Sequence, residues 1–239
     1  MENVFRRHEE KYLISKEQSA ALQKVMASFM VSDQFGEYLV QNLYFDTHDW
    51  DVIRTSVDRP VYKEKMRMRC YNKLESPLTP NDVFLELKKK LSGIVYKRRM
   101  TIPKDASIDA IRKIVACKET QISREMDFYL RCNPVYERVH IAYQRKALMG
   151  IENPELRITF DTNMRFRLDY LDFMSTLEGR PILPGSEVIL EIKTTGGIPL
   201  WLTRALSENG VFPRTFSKYG TCYTNYIANE TKGLVKNSA

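Results

Sequence analysis

Histidine is scarce in this chain and cysteine is scattered. The 239 residues hold three histidines and four cysteines, and Cys70, Cys117, Cys132 and Cys222 contain no C-x-x-C pair. Neither a zinc site nor a disulfide framework is signalled, so a reducing, cytoplasmic setting is expected. Long hydrophobic runs are missing too. No stretch of about 18 apolar residues occurs, and the segment from Met1 to Arg7 lacks the apolar core of a signal peptide. Direct membrane insertion is therefore not expected. Internal repeats, low-complexity tracts and a Pro/Gly/Ser linker long enough to separate domains are also lacking. One domain over residues 1–239 is expected, with a folded core at 4–227 and a tail at 228–239.

What the chain does have is a core and an excess of positive charge. Hydrophobic residues make up 43%, enough for a real interior, and the formal charge of +7 points to an anionic partner. Charge alone does not separate nucleic acid, phospholipid headgroups and phosphorylated metabolites. Its distribution says more. Lys63, Lys65, Arg67, Arg69 and Tyr71 occupy every second position, with Tyr62, Glu64, Met66, Met68 and Cys70 between them. In an extended chain that spacing puts four cations on one face and a mostly apolar set on the other. Like charges two apart on one strand face repel, so a compensating polyanion is expected.

The same alternation recurs along the chain. Phe5 to Ile14 reads as a strand, followed by a Ser15/Gln18 capping box and a helix carrying Ala21, Leu22, Val25, Met26 and Phe29. Tyr38 to Phe45 and Val61 to Tyr71 read as strands, with a short helix or turn from Asp46 to Arg54. Val83 to Leu91 and Val95 to Ile102 flank Ser92-Gly93 and predict a hairpin. Ser107 to Cys117 and Gln121 to Leu130 read as helices. Val135 to Arg145, Glu155 to Asp161 and Glu187 to Thr194 are further strands, and Ile198 to Glu208 is an amphipathic helix. The fold class that follows is α+β, built on a large antiparallel sheet.

Polar residues are in phase on most of these strands. Arg7, Glu9 and Lys11 share a face, as do Glu86, Lys88 and Lys90; Lys97, Arg99 and Thr101; Tyr143 and Arg145; Arg157, Thr159 and Asp161; and Glu187, Glu191 and Lys193. A charged shell around an apolar barrel or sandwich is the bland alternative. The preponderance of Arg and Lys favours instead a sheet closed with its polar face inward, a hydrated tunnel balanced by a polyanion or metal. Glu9, Glu86, Glu187 and Glu191 fall among the cations; a Mg²⁺ or Mn²⁺ ion takes oxygen ligands together with substrate phosphates. Each glutamate alone is equally well read as a cross-strand salt bridge. Met26, Phe29 and Trp201 are read as core, Tyr44 and Phe45 as packing rather than adenine-stacking residues, and Lys89 and Arg98 as solvated cations.

The motifs Arg7-His8-Glu9-Glu10-Lys11-Tyr12, Asn42-Leu43-Tyr44-Phe45-Asp46, Lys65-x-Arg67-x-Arg69, Phe84-Leu85-Glu86-Leu87-Lys88, Tyr143-x-Arg145, Glu191-x-Lys193 and Ser217-Lys218-Tyr219 together resemble the VTC domain. That domain is the polyphosphate polymerase module of vacuolar transporter chaperone proteins and their bacterial relatives, within the triphosphate tunnel metalloenzymes. Arg7 stands where the adenylate cyclase and thiamine triphosphatase branch has the first glutamate of E-x-E-x-K, which favours the VTC branch.

The resemblance implies a closed or nearly closed eight-stranded antiparallel β-barrel with helices outside. It implies transfer of the γ-phosphoryl group of ATP to inorganic polyphosphate, assisted by Mn²⁺ or Mg²⁺. Lys11, Arg67, Arg69, Lys88, Arg145 and Lys218 become the catalytic phosphate clamps. Arg7, Lys65, Lys90, Arg99, Tyr143, Arg157, Lys193 and Ser217 become substrate contacts. Glu191 is the first metal-ligand candidate; Glu9 and Glu86 are either further ligands or partners that orient the cations. Hydrolysis of a triphosphate by the same residues, and polyphosphate binding without turnover, stay open as alternatives. Nucleic acid is not expected, because the basic strands lack the interleaved aromatics of single-strand binders. A separately encoded membrane partner is compatible with the family.

Overall fold

The computed structural model describes residues 8–73, 83–173 and 177–229. In chain order the elements are β1 (His8–Ile14), α1 (Lys16–Met26), β2 (Met30–Asp46), α2 (Asp51–Val57), β3 (Tyr62–Lys73), β4 (Val83–Leu91), β5 (Ile94–Ile102), α3 (Ile108–Cys117) and α4 (Gln121–Cys132). They continue with β6 (Tyr136–Gly150), β7 (Arg157–Arg167), β8 (Arg180–Pro181), β9 (Val188–Thr194), α5 (Leu200–Glu208) and α6 (Lys218–Cys222), which runs into a π-helical turn, Tyr223–Ile227. The result is an antiparallel α+β sheet. Hydrogen-bonded neighbours follow the order β1-β9-β7-β6-β2-β3-β4-β5, with β8 added on β7. The closed or nearly closed eight-stranded barrel that was expected is met as an antiparallel sheet in which, among the described residues, no pairing joins β5 to β1. Lys97, Arg98 and Arg99 stand in a row on β5, and charge of this kind on an edge strand discourages further pairing.

Contacts divide the chain into two compact units. The described residues of the first fall within 1–39, 143–164 and 183–217, and those of the second within 40–142, 165–182 and 218–239. Each has its own core. In the first, Tyr12 and Ile14 of β1, Leu22 and Met26 of α1, Ile158 and Phe160 of β7, Val188, Leu190 and Ile192 of β9, and Leu202 and Leu206 of α5 pack together. In the second, Leu43, Phe45, Met66, Met68, Leu85 and Leu87 from the strands pack with Ile111 and Val115 of α3 and Met126, Tyr129 and Leu130 of α4. Most of these strand residues alternate with polar ones, so burying the apolar face leaves the polar face on the other side of the sheet.

Local signals explain the element ends. At α1 the Ser15 hydroxyl accepts from the Gln18 N–H at 3.2 Å while the Gln18 side chain accepts from the Ser15 N–H at 2.9 Å, the reciprocal cap that the sequence predicts. The β4–β5 turn places Ser92 at φ 47° and Gly93 at φ 88°. Two successive positive φ values match the twist of a two-residue hairpin. Three expectations fail. β2 starts at Met30, eight residues before the predicted Tyr38, because Val31 to Glu37 carries no regular alternation. Phe29 is 41% exposed and stacks on Trp201 at 4.3 Å instead of entering the core. Lys89 and Arg98 are ion-paired with Glu125 at 3.2 and 3.1 Å, and Lys89 also with Glu64 at 3.3 Å, instead of being solvated.

Candidate functional site

In the second unit, register builds the site. Arg67 of β3 lies opposite Glu86 of β4, and Glu86 lies opposite Arg99 of β5. Odd positions on β3 and β5 therefore share a face with even positions on β4. Lys65, Lys88 and Lys97 form the next row, and Lys63, Lys90 and Val95 the row after it. Glu86 is 1% exposed, and both its oxygens are taken. Arg67 donates Nε and Nη2 to Oε2 at 2.9 and 2.8 Å; Arg99 Nε and Lys97 Nζ approach Oε1 at 2.8 and 2.6 Å. Arg69 Nε stands 3.9 Å from Oε2 and donates to Asn42 Oδ1 at 2.8 Å. Burial by itself would raise the Glu86 carboxyl, but Arg67, Arg69 and Lys97 outweigh it and hold the group far below the usual carboxylate range.

Tyrosines complete this face. Arg67 Nη1 donates to the Tyr44 hydroxyl at 3.0 Å, and Arg99 Nη2 to the Tyr71 hydroxyl at 3.1 Å. Burial opposes ionisation of Tyr44, yet Arg67, Arg69 and Lys65 together bring its hydroxyl down to about 8. Tyr71 is likewise brought to about 8, by Arg69 foremost, against burial. Lys65 is lowered to about 8 by burial, with Lys63, Lys88 and Arg67 adding to the effect and Tyr44 opposing it. Beneath them Asp46 anchors the support: its oxygens accept from the N–H groups of Thr47, Val52 and Ile53 at 2.8, 2.9 and 3.0 Å and from the Tyr219 hydroxyl at 2.6 Å. The Tyr219 ring stacks on Tyr44 at 4.6 Å, and Lys65 Nζ lies 6.0 Å from its centroid. Lys218, half-buried, opens α6 next to Tyr219.

The first unit carries a second polar face, made by β1, β9 and β7. Lys11 lies opposite Glu191, and Glu191 opposite Thr159; Glu9 lies opposite Lys193, and Lys193 opposite Arg157. Lys193 Nζ meets Glu191 Oε1 at 2.6 Å, while Lys11 Nζ stands 3.2 Å from Glu9 and 4.0 Å from Glu191. Glu191 is 7% exposed. Burial would raise it, and Lys193, Lys11 and Arg145 reverse that, so it stays ionised. Arg145 reaches the fully buried Asp161 through Nε at 2.6 Å and Nη2 at 2.7 Å, and its cation sits 5.3 Å from the Tyr143 ring. Arg157 turns instead to Asp33 at 3.5 Å and is half exposed. Ser217 is exposed at the end of this unit, and Arg7 lies outside the described residues.

Of the three acids expected to meet a metal, Glu86 does not fit, since its oxygens are occupied by guanidinium and ammonium groups. Arg67, Lys97 and Arg99 converge on it instead. Glu191 and Glu9 flank Lys11 and fit better, because Mg²⁺ or Mn²⁺ needs only one or two carboxylates once phosphates complete the shell. Among the described residues no three acid, histidine or cysteine groups converge as a ready-made cage. Sequence reasoning put Asp161, Lys97 and Tyr71 on polar faces but named none of them, nor Asn42 or the Asp46–Tyr219 pair, among the site residues. Asp161 and Lys97 carried the spacing-two signal; the Asp46–Tyr219 pair, 173 residues apart, carried none beyond its place in two motifs.

The VTC domain family profile matches residues 6–227. No curated protein matches the sequence. Among solved structures the chain is similar to a candidate adenylate cyclase from Vibrio parahaemolyticus, at 11% identity over 90% of this chain and 96% of that one, TM-score 0.47. A candidate adenylate cyclase from Bacillus halodurans gives 14% identity over 87% and 92%, TM-score 0.47. A Pyrococcus horikoshii protein gives 15% over 87% and 95%, TM-score 0.44. Likenesses at this level assign no activity.

Proposed function

The chain belongs to the VTC domain family, and from that premise we propose that it is a polyphosphate polymerase, a metal-dependent enzyme that moves the γ-phosphoryl group of ATP onto inorganic polyphosphate and releases ADP. The observation that carries this reading is the charge around Glu86, one carboxylate set against Arg67, Arg69, Lys97 and Arg99. Two like charges about 6 Å apart repel by about 3 kcal/mol at an effective dielectric of about 20. A surplus of this size, with Lys65 and Lys88 in the adjoining row, is relieved by a ligand that carries several negative charges in a line.

Phosphoryl transfer asks a protein mainly for positioning and charge neutralisation. Arg67 and Arg69 offer planar forks to phosphate oxygens, and Lys65 and Lys88 offer point charges. Glu86 and the tyrosine hydroxyls hold those forks in place before a ligand arrives, so little reorganisation is left for the reaction itself. In the first unit Lys11, Arg145 and Lys193 supply cations, with Tyr143 and Ser217 as neutral donors; Lys218 supplies one in the second. No side-chain nucleophile is required, since the attacking oxygen belongs to the end of the polyphosphate and is already ionised. A divalent ion, when bound, neutralises phosphate charge, and Glu191 with Glu9 would hold it. A cytoplasmic setting accords with four cysteines of which none is in a disulfide, and the described helices include none long and apolar enough to cross a membrane.

Purified protein incubated with ATP and Mn²⁺ is expected to produce ladders of polyphosphate on a denaturing gel. Orthophosphate without polymer would replace the reading with a triphosphatase, and retention of polyphosphate without turnover would reduce it to a binding module.

A further inference from the structure

The β4–β5 hairpin ends in an apolar face that nothing among the described residues covers. Tyr62, Leu91 and Ile94 lie side by side in register, and Tyr96 follows one row inward, opposite Lys89. Nearer the base of the hairpin the same face, through Leu85 and Leu87, is sealed in the core with α3 and α4. At the tip it is open: Ile94 is 60% exposed, and Tyr62, Leu91 and Tyr96 are exposed as well. Val61, just before β3, is also exposed, its carbonyl accepting from the Ser92 N–H at 2.9 Å. Scattered exposed hydrophobic residues are ordinary, but Tyr62, Leu91, Ile94 and Tyr96 on one face of this tip form a patch that calls for an occupant.

The opposite face of the same tip is basic. Lys63 lies opposite Lys90, and Lys63 is held below its ordinary value by burial and then by the repulsion of Lys90 and Arg59. From Leu87 to Lys104 the chain carries Lys88, Lys89, Lys90, Lys97, Arg98, Arg99 and Lys104 and not one acid. Glu64, the acid nearest the apolar side, is engaged by Lys89. A free phosphate chain would satisfy the cations and leave the apolar side untouched. A protein groove would cover the apolar side without needing the cations. We propose that this hairpin tip docks onto an anionic phospholipid surface, with Leu91 and Ile94 entering the acyl boundary, Tyr62 and Tyr96 at the interface, and Lys90 and Arg59 against the headgroups. Aromatic rings with a polar edge, and lysines whose stems lie along apolar surface, are suited to that depth. The contact is peripheral, by side chains at the tip of one hairpin, and its apolar part does not rest on the phosphotransfer reading, which shares only Lys90 with it.

Flotation with phosphatidylcholine vesicles, alone or with about one-third phosphatidylglycerol, tests it. The full chain is expected to float with the anionic vesicles and not with the neutral ones. Leu91→Ser/Ile94→Ser, whose side chains lie on the face opposite Lys63 and Lys90, is expected to lose at least about tenfold in vesicle partitioning while its melting temperature and ATP turnover stay unchanged. As a second readout, Ile94→Trp is expected to shift its fluorescence to the blue on adding anionic vesicles, beyond any shift of the parent chain. Failure of the parent chain to float would overturn the proposal. Equal flotation of the serine variant would do the same, showing adsorption by charge alone. So would a light-scattering mass that falls from dimer to monomer in the serine variant without vesicles, which would assign the patch to a second copy of this chain.

Discussion

The guanidinium of Arg145 and the carboxylate of Asp161 meet through two parallel hydrogen bonds, 2.6 and 2.7 Å long, and the carboxylate is wholly buried. Burial disfavours the cation, yet Tyr143 and Asp161 hold Arg145 well above its ordinary value. The pair fixes where an arginine points in a place too confined for it to reorient. Asp161→Ala should therefore destabilise by about 3 kcal/mol, because it strands a buried charge. A double variant, Arg145→Met with Asp161→Leu, should recover most of that loss and remain inactive. Urea denaturation read beside product formation checks this; a double variant that regained activity would remove Arg145 from the site.

Glu86 gives the opposite kind of test. Glu86→Gln removes the sole negative charge among four cations, so the ligand-free protein should lose about 3 kcal/mol and regain a good share of it when tripolyphosphate is added. The carboxyl is held below its unfolded value, so its stabilisation is complete above the unfolded pKa and is lost only as pH falls toward the depressed folded one. Wild-type melting temperature should consequently keep falling with acid well below pH 4.5, the ordinary value for this side chain, and the variant should lack that limb. Arg67→Ala, by contrast, should leave Glu86 with three cations, lower stability only modestly and abolish product.

Lys65 and Tyr44 predict an alkaline limb. Lys65 falls from 10.5 to about 8 and Tyr44 from 10.0 to about 8, so between those values the unfolded chain binds more protons than the folded one. Stability of the ligand-free protein should rise with pH across that interval. A bound polyanion pushes both groups back up, so binding takes up protons and tripolyphosphate affinity should fall as pH climbs past about 8. Calorimetry in buffers of different ionisation enthalpy measures the uptake. Lys65→Met should flatten the profile, and an affinity unchanged from neutral pH to beyond the limb would refute the linkage.

The strands of this fold were legible because a period of two needs only neighbours. Lys63 to Arg69, Leu85 to Lys90 and Val188 to Lys193 each declared a buried side and a polar side, and the buried sides are the two cores. The site was legible to the same depth: residues on the polar faces could be named, but not who holds whom. Arg157 shares its face with Asp161 and still pairs with Asp33, from a stretch of β2 that has no alternation to announce it. Asp46 takes the Tyr219 hydroxyl from a helix that the sequence did not suggest, since Lys-Tyr-Gly-Thr-Cys carries no helical period. Lys89 looked solvated because its strand phase faces away from the other cations, and Glu125, which meets it, arrives from α4. Pairings made by tertiary approach leave no periodic trace.

Glu191 separates a metal ligand from a counterion. Removing it by Glu191→Gln leaves Lys11 and Lys193 without the carboxylate they share, so a loss of about 1 to 3 kcal/mol is expected in either case, and stability cannot decide. The metal titration can. If Glu191 contributes an oxygen to the divalent ion, the Mn²⁺ concentration for half-maximal activity should rise at least about tenfold in the variant, with activity partly restored at high Mn²⁺. If it serves only to hold the two lysines, the maximal rate should fall and the metal dependence should stay where it was. Its placement favours the first outcome: Lys193 closes on Oε1 at 2.6 Å, whereas Lys11 stands off at 4.0 Å from Oε2 and leans toward Glu9 at 3.2 Å. Lys11 thus stands between the two carboxylates, Glu191 and Glu9. Glu9→Gln should accordingly shift the metal titration in the same direction by a smaller factor, and a Glu9 variant with wild-type metal dependence would restrict the ion to Glu191 and phosphate.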